Sequence, residues 1–314
     1  MDFLAINQKD QSRSIMIFGS AKNSELQNLA ARDSGIKKVK SGASYFILSL
    51  FVFISIGPII YIISPAFRES KSLFSYPPQW LPKSFYLGNF RFLLSETHYI
   101  RWSINTLIFA TSVTVISLVI DTLAGYAFAR MEFPGKKILF GLILATLMVP
   151  TAALLAPTYL LVRDLDKWTF GLIGLDTYGG LIIPMTVSPL GVFMMRQFIE
   201  TLPKGLYEAA RIDGASEWRI FTRIVLPLMK PAIVVLGIFV FMMQWANFLW
   251  PLVITTKDET RVLTVGIATL QGQFVTNWGV IAAATMMTLL PITLVFLFFQ
   301  RWFVQASVAG ALKQ

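Results

Sequence analysis

The stretch EAARIDGASEWRIFTRIVLPLMKP, Glu208 to Pro231, decides how this chain is organised. It is a charged segment set between long apolar runs. Lys204 and Glu208 stand four apart and Glu208 and Arg211 three apart, which predicts a short solvated helix with ion pairs along one side. Asp213-Gly214 ends that helix, with Asp213 able to cap, and Ser216 is placed to start another. In the second helix Trp218, Phe221 and Val225 share one face, while Arg219 and Arg223 share a different one. Pro227 and Pro231 are expected to stop it. The reading is two short helices at an angle, with an apolar knob, a charged rim and small residues (Ala209, Ala210, Ala215) that let a partner approach closely. A plain interfacial amphipathic helix would share the two faces but would need neither the Asp-Gly break nor the terminal prolines.

Around this insert the chain reads as membrane. Hydrophobic residues make up 55% of the 314 and charged residues 14%, where ordinary soluble domains carry about 25% charged. No charge occurs from Ser41 to Phe67, Ile138 to Val162, Thr177 to Met195 or Pro231 to Thr256. Each run reaches the ~18 apolar residues of a spanning helix. Without water, backbone groups in such runs must pair within the helix. The expected fold is therefore all-α and integral to a membrane. Its six transmembrane helices are placed at about Tyr45–Phe67, Ser103–Ala129, Ile138–Val162, Gly179–Phe198, Pro231–Pro251 and Gly279–Trp302. Three regions follow: a basic tail over 1–43, the six-helix domain over 44–302 with the insert at 204–231 between helices four and five, and a tail over 303–314. A short amphipathic helix is expected near Ser24–Arg32. Pro150 and Pro157 in span three and Pro184 and Pro189 in span four mark breaks, either lining a cavity or serving as packing kinks.

Of the 27 Lys and Arg, 18 lie in the two tails, the turn after span two, the insert and the adjoining span ends (Arg196 and Arg301), and 9 lie in the alternate loops. The excess of positive charge on the inner face then places both termini and the insert in the cytoplasm. The net charge of +10 flanks apolar runs, which suits anchoring to a membrane leaflet and not nucleic acid. Zero cysteines exclude disulfides and thiolate metal sites, and the single His98 builds no metal cluster alone. No catalytic constellation is expected. Met1 to Lys40 lacks an apolar core, so no cleavable signal is expected.

The insert resembles the EAA loop of permease subunits of binding-protein-dependent ABC importers. Glu208-Ala209-Ala210, Asp213-Gly214-Ala215, Phe221, Leu226-Pro227 and Pro231 follow that pattern throughout. Tyr126 to Arg130 with Phe133-Pro134-Gly135, Val149-Pro150 with Pro157 and Tyr159, Arg196-Gln197-Phe198 before Pro203, and Phe248 to Leu252 are similar to the carbohydrate-uptake branch. So is the ending, Gln300 to Val304 followed by Ala309-Gly310-Ala311, and within the branch the likeness is to the MalG-type second permease. It covers roughly residues 40 to 314. Two departures stand out: Trp245-Ala246-Asn247 where the family often has Trp-Asn-acid, and Ala306 in place of a glycine. The first leaves the choice of solute open.

The resemblance implies a multi-pass protein of the bacterial cytoplasmic (inner) membrane. It implies a path shared with a second permease, two cytoplasmic ATPase subunits that bind ATP and Mg, and an extracytoplasmic solute-binding protein. The ATPase-coupling residues would be Glu208, Ala209, Ala210, Asp213, Gly214, Ala215 and Phe221. The chain itself would carry no cofactor and hydrolyse no ATP: Pro134-Gly135-Lys136-Lys137 lacks the upstream glycine and the hydroxyl of a phosphate-binding loop. For the path, Gln244, Trp245, Asn247 and Trp250 could hydrogen-bond and stack on a sugar, or could pack helix against helix. Asp121 lies roughly 12 Å deep in span two, as a functional acid or as a structural hydrogen bond. The loop Thr255 to Trp278 is expected to reach towards the binding protein. An ion-coupled secondary transporter would need several intramembrane ionisable groups and usually an internal repeat, and a membrane enzyme would need a cluster of reactive side chains.

Overall fold

The computed structural model describes residues 42, 44–69, 82, 85–272 and 276–311, and every described regular element is helical. The expected helix at 24–32 lies outside the described residues, as do 70–81 and 273–275. The chain forms two units, Met1–Tyr61 and Ile62–Gln314. The described part of the first is most of α1, Ser44–Ala66, whose last residues enter the second unit.

In the second unit α2 is Gly88–Ser95 and α3 is Tyr99–Arg130. They are followed by α4 (Lys136–Thr146), α5 (Thr151–Trp168), α6 (Tyr178–Ile182, running on as a 3₁₀ turn to Met185) and α7 (Pro189–Glu200). The insert supplies α8, Lys204–Ile212, and α9, Glu217–Leu228. The chain then runs through α10 (Lys230–Trp245), α11 (Leu249–Ile254), α12 (Leu263–Thr269) and α13 (Trp278–Ala311).

Three helices are long and apolar enough to cross a membrane alone: α1, α3 and the Trp278–Arg301 part of α13. Three bent pairs qualify together, α4 with α5 at 104°, α6 with α7 at 44°, and α9 with α10 at 75°. The prolines explain the bends unevenly. Pro150 separates α4 from α5, because a proline has no N–H and forces the preceding residue out of helix. Pro157, expected to break the same span, lies inside α5 and is absorbed there. Pro189 opens α7 at the position where a missing N–H costs nothing, with the Ser188 hydroxyl accepting from the Gly191 N–H.

α9 ends at Leu228, between the two prolines expected to stop it, with Pro227 itself inside its last turn. A π-helical turn over Phe221–Val225 precedes it, and the wider turn makes room for a ring that would otherwise meet the carbonyl four residues back. Span five is also shorter than expected: α10 ends at Trp245, and Leu249–Ile254 forms a separate helix. The loop after it holds α12.

The central packing is α3 against α7. At Gly125 a Cβ would lie 2.7 Å from Met195 Cβ and 2.9 Å from the Arg196 backbone nitrogen, so the two helices touch nearly backbone to backbone. Phe109, Val113, Tyr126, Met195, Ile199, Leu236 and Val240 fill one core cluster; Trp102, Ala110, Trp245, Val280 and Ala283 belong to a second.

At the start of α3 the loops are pinned by their backbones. Asn105 Nδ2 donates to Glu259 O at 3.0 Å and Arg261 O at 2.8 Å, and Tyr178 Oη donates to Asn105 Oδ1 at 2.6 Å. The Leu263 N–H donates to Thr106 Oγ1 at 2.7 Å. Asp176 clasps the neighbouring turn: it accepts from the Thr256 and Lys257 N–H groups at 2.5 and 2.9 Å, and from Thr256 Oγ1. Burial alone would raise the Asp176 carboxyl, but the hydrogen bonds from Thr256 and Lys257 outweigh it and leave the group below the usual carboxylate range.

Candidate functional site

The insert folds as two helices joined through a left-handed glycine. Asp213 ends α8, and Gly214 takes φ +75°, a conformation that side chains with a Cβ rarely adopt. The Ala215 N–H returns to Ala210 O at 2.9 Å, and Ser216 Oγ caps α9 by accepting from the Arg219 N–H. Local signals therefore place the joint where the sequence reading expected it. The side-chain pairing differs. Arg211 donates from Nε to Glu217 Oε1 at 2.8 Å, and Glu208 is exposed and forms no salt bridge among the described residues.

The inner face of the insert is packed. Tyr207, Ala210, Ile220, Phe221 and Val225 are buried, and Phe221 packs against Tyr126 with ring centres 5.2 Å apart. The expected apolar face splits here, because Trp218 leans on Phe221 but stays 65% exposed. Ile212, at the end of α8, is 87% exposed. Glu208, Ala209, Asp213 and Gly214 are exposed, and Ala215 is half-buried. The outer side of the insert thus offers two large apolar side chains beside a free carboxylate, while its inner side is fixed.

Two residues of α3 fix it. Arg130 donates through Nη2 to Ile199 O at 2.7 Å and Leu202 O at 2.6 Å, and its guanidinium lies 4.2 Å over the Tyr207 ring. Ile199 lies in the last turn of α7 and Leu202 just past it, where the helix dipole favours a cation. Tyr126 Oη donates to Glu217 Oε2 at 2.7 Å. The Arg211 hydrogen bond, and after it that of Tyr126, hold the Glu217 carboxyl below the usual carboxylate range against a smaller opposing effect of burial. None of these ties was legible in the sequence. Tyr126 and Glu217 stand 91 residues apart and no local pattern joins them.

Among the expected path residues, Trp245 and Trp250 are buried, with their indole N–H groups donating to Thr288 O at 3.2 Å and Leu181 O at 3.0 Å. Both therefore hold helix to helix. Gln244 and Asn247 are half-buried and pair with each other, Asn247 Nδ2 donating to Gln244 Oε1 at 2.9 Å. Asp121 is fully buried against the break between α6 and α7: Oδ1 accepts from the Ser188 N–H at 3.3 Å, and a Cβ on Gly191 would overlap Oδ2. One turn away, Ser117 Oγ donates to Thr186 O at 2.8 Å. The structural hydrogen bond weighed for Asp121 is thus present, and it stitches the unwound segment to α3.

The family described as binding-protein-dependent transport system inner membrane component matches residues 121–307, a region that begins at Asp121 and contains the whole insert. The arabinooligosaccharides transport system permease protein AraQ of Halalkalibacterium halodurans is 34% identical over 268 residues, covering 84% of this chain and 94% of that protein. The sn-glycerol-3-phosphate transport system permease protein UgpE of Pectobacterium atrosepticum is 32% identical, covering 84% of this chain and 95% of that protein. A chain from the crystal structure of a bacterial ABC transporter involved in import of the acidic polysaccharide alginate superposes with a TM-score of 0.74 at 22% identity, over 85% of this chain and 97% of that one, a likeness of fold. A family match over more than half the chain, joined by relatives of this identity and coverage, makes the chain a member of the inner membrane components of binding-protein-dependent transport systems.

Proposed function

We propose that this chain is one permease subunit of an ATP-driven importer for a sugar or sugar-like solute, an oligosaccharide, glycoside or polyol. It crosses the cytoplasmic membrane six times, with both termini and the insert in the cytoplasm. A second permease completes the path, an extracytoplasmic binding protein delivers the solute, and two ATPase subunits holding ATP and Mg drive the cycle. The names of relatives that carry arabinooligosaccharides and glycerol phosphate support a polar, hydroxyl-rich cargo. Gln244 and Asn247 are the side chains of the expected set with amides left to meet it; Trp245, Trp250 and Asp121 hold the frame around them.

The observation that carries this reading is the asymmetry of the insert. Its inner face is packed against α3, and its outer face presents Glu208, Ile212 and Trp218 around a left-handed joint. Glu208, Ala209, Ala210, Asp213, Gly214, Ala215 and Phe221 then form the coupling element that a cleft in the ATPase would hold.

The test is to solubilise the tagged protein from its native membrane and identify what accompanies it. A second permease and an ATPase are expected, and recovery of the chain alone would sink the importer reading. Gly214→Pro cannot adopt φ +75°, and Glu208→Arg reverses the exposed charge. Each should leave the protein in the membrane and abolish ATP-driven uptake. Full uptake in either would remove the coupling role.

A further inference from the structure

The chain enters the insert from α7 and leaves it into α10, yet the polar side-chain ties of its two helices run to α3. Gly214 is a joint about which α8 could swing relative to α9. Glu217 sits just past that joint, one carboxylate oxygen 2.8 Å from Arg211 on α8 and the other 2.7 Å from Tyr126 on α3. Tyr126 is itself buried and wedged on Phe221. Four residues further along α3, on the same face, Arg130 holds the turn into α8 and covers Tyr207. Thus α3 touches α8 directly through Arg130 over Tyr207, and reaches its far end through Glu217 and Arg211.

We infer that Glu217 is a positioning residue, a brace that locks the angle between α8 and α9 and ties both to the second span, so that insert and α3 move as one body. The Arg211–Glu217 pair is too exposed to add much to overall stability; such pairs contribute little. What it supplies is a fixed angle. A displacement applied to the outer face of α8 then reaches Tyr126 and Arg130 at once, and through them the length of α3, where it would otherwise be spent in bending at Gly214. The inference rests on the coupling reading of the insert.

The test uses the complete complex, purified with its second permease and ATPase and placed in lipid nanodiscs. Hydrolysis of Mg-ATP is measured with and without the solute-loaded binding protein isolated from the same cells. In Glu217→Gln and Tyr126→Phe the ATPase should co-purify in wild-type amount, while stimulation by the binding protein falls about fivefold, the effect of losing one ordinary hydrogen bond. The double variant should be no worse than either single one, because both remove the same brace. Exchanging the pair, Arg211→Glu with Glu217→Arg, should recover at least half of the lost stimulation.

Unchanged stimulation in the single variants, additive losses in the double variant, or loss of the ATPase with no recovery on exchange would each overturn the brace. Glu208→Arg distinguishes loss of the brace from loss of coupling. If it abolishes stimulation while Glu217→Gln does not, only the brace falls. If Glu208→Arg changes nothing, the coupling reading falls with it.

Discussion

The two ends of α3 hold their neighbours in different ways. At its start, Asn105 and Thr106 bond directly to loop backbone, and Asp176 from the adjoining loop does the same for the turn at Thr256–Lys257. At its end, Tyr126 reaches a side-chain carboxylate and Arg130 reaches two carbonyls at the end of α7, leaving the outer face of α8 bare. Backbone pinning fixes the shape of a loop residue by residue. Holding a helix at two points fixes only its angle and leaves its surface free for a partner. The first arrangement suits a rim that keeps its form, the second an element that receives a push.

Four changes would break or sharpen this contrast. The largest effect is expected midway along the helix pair, where Gly125→Leu would force α3 and α7 apart and cost about 3 kcal/mol or more. Little folded protein should survive extraction, and a normal yield would show that the close approach is dispensable. Next comes Asp176→Ala, which removes the charged acceptor of the Thr256 and Lys257 N–H groups. It should cost about 2 kcal/mol, read as a lower unfolding midpoint, while ATPase binding at the other end stays intact.

A smaller loss follows acidification. The Asp176 carboxyl titrates lower in the folded protein than in the unfolded chain, so its contribution is fully present above the ordinary carboxylate range, near pH 4. It is lost as pH falls through the lowered folded value. Wild-type stability should therefore drop more steeply below that range than the stability of Asp176→Asn; parallel curves would count against the clasp. The smallest change in stability belongs to Trp218→Ala, within about 0.5 kcal/mol for so exposed a side chain. Its effect should appear in ATPase co-purification, which ought to fall, and retention there would remove Trp218 from the docking face.

What the sequence made legible was local. The joint of the insert followed from Asp213, Gly214 and Ser216, because caps and left-handed glycines act within a few residues. The apolar runs marked the membrane segments for the same reason. The outcome at each proline was harder to foresee: Pro150 breaks a span, Pro157 does not, and Pro227 is carried past by a π turn. Those differences depend on whether neighbouring helices compensate the lost N–H. Arg211 illustrates the same limit, since spacing offered it Glu208 and the folded insert gave it Glu217. Tyr126 with Glu217 and Asp176 with Thr256 join residues far apart in the chain, and periodicity carries no trace of them.

The stitch between Asp121 and Ser188 has a bearing on how the protein is made. Ser188 follows Asp121 by 67 residues, so α3 is synthesised well before the N–H that its acid will accept. An aspartate inside a spanning helix costs up to about 3 kcal/mol on insertion, a burden the long apolar remainder of α3 can carry alone for a time. Its Oδ1 gains the Ser188 N–H when the start of α7 arrives beside it, with Ser117 closing on Thr186 in the same step. Assembly is thereby given an order, in which α3 is made first and the bent pair α6–α7 docks onto it in a single register.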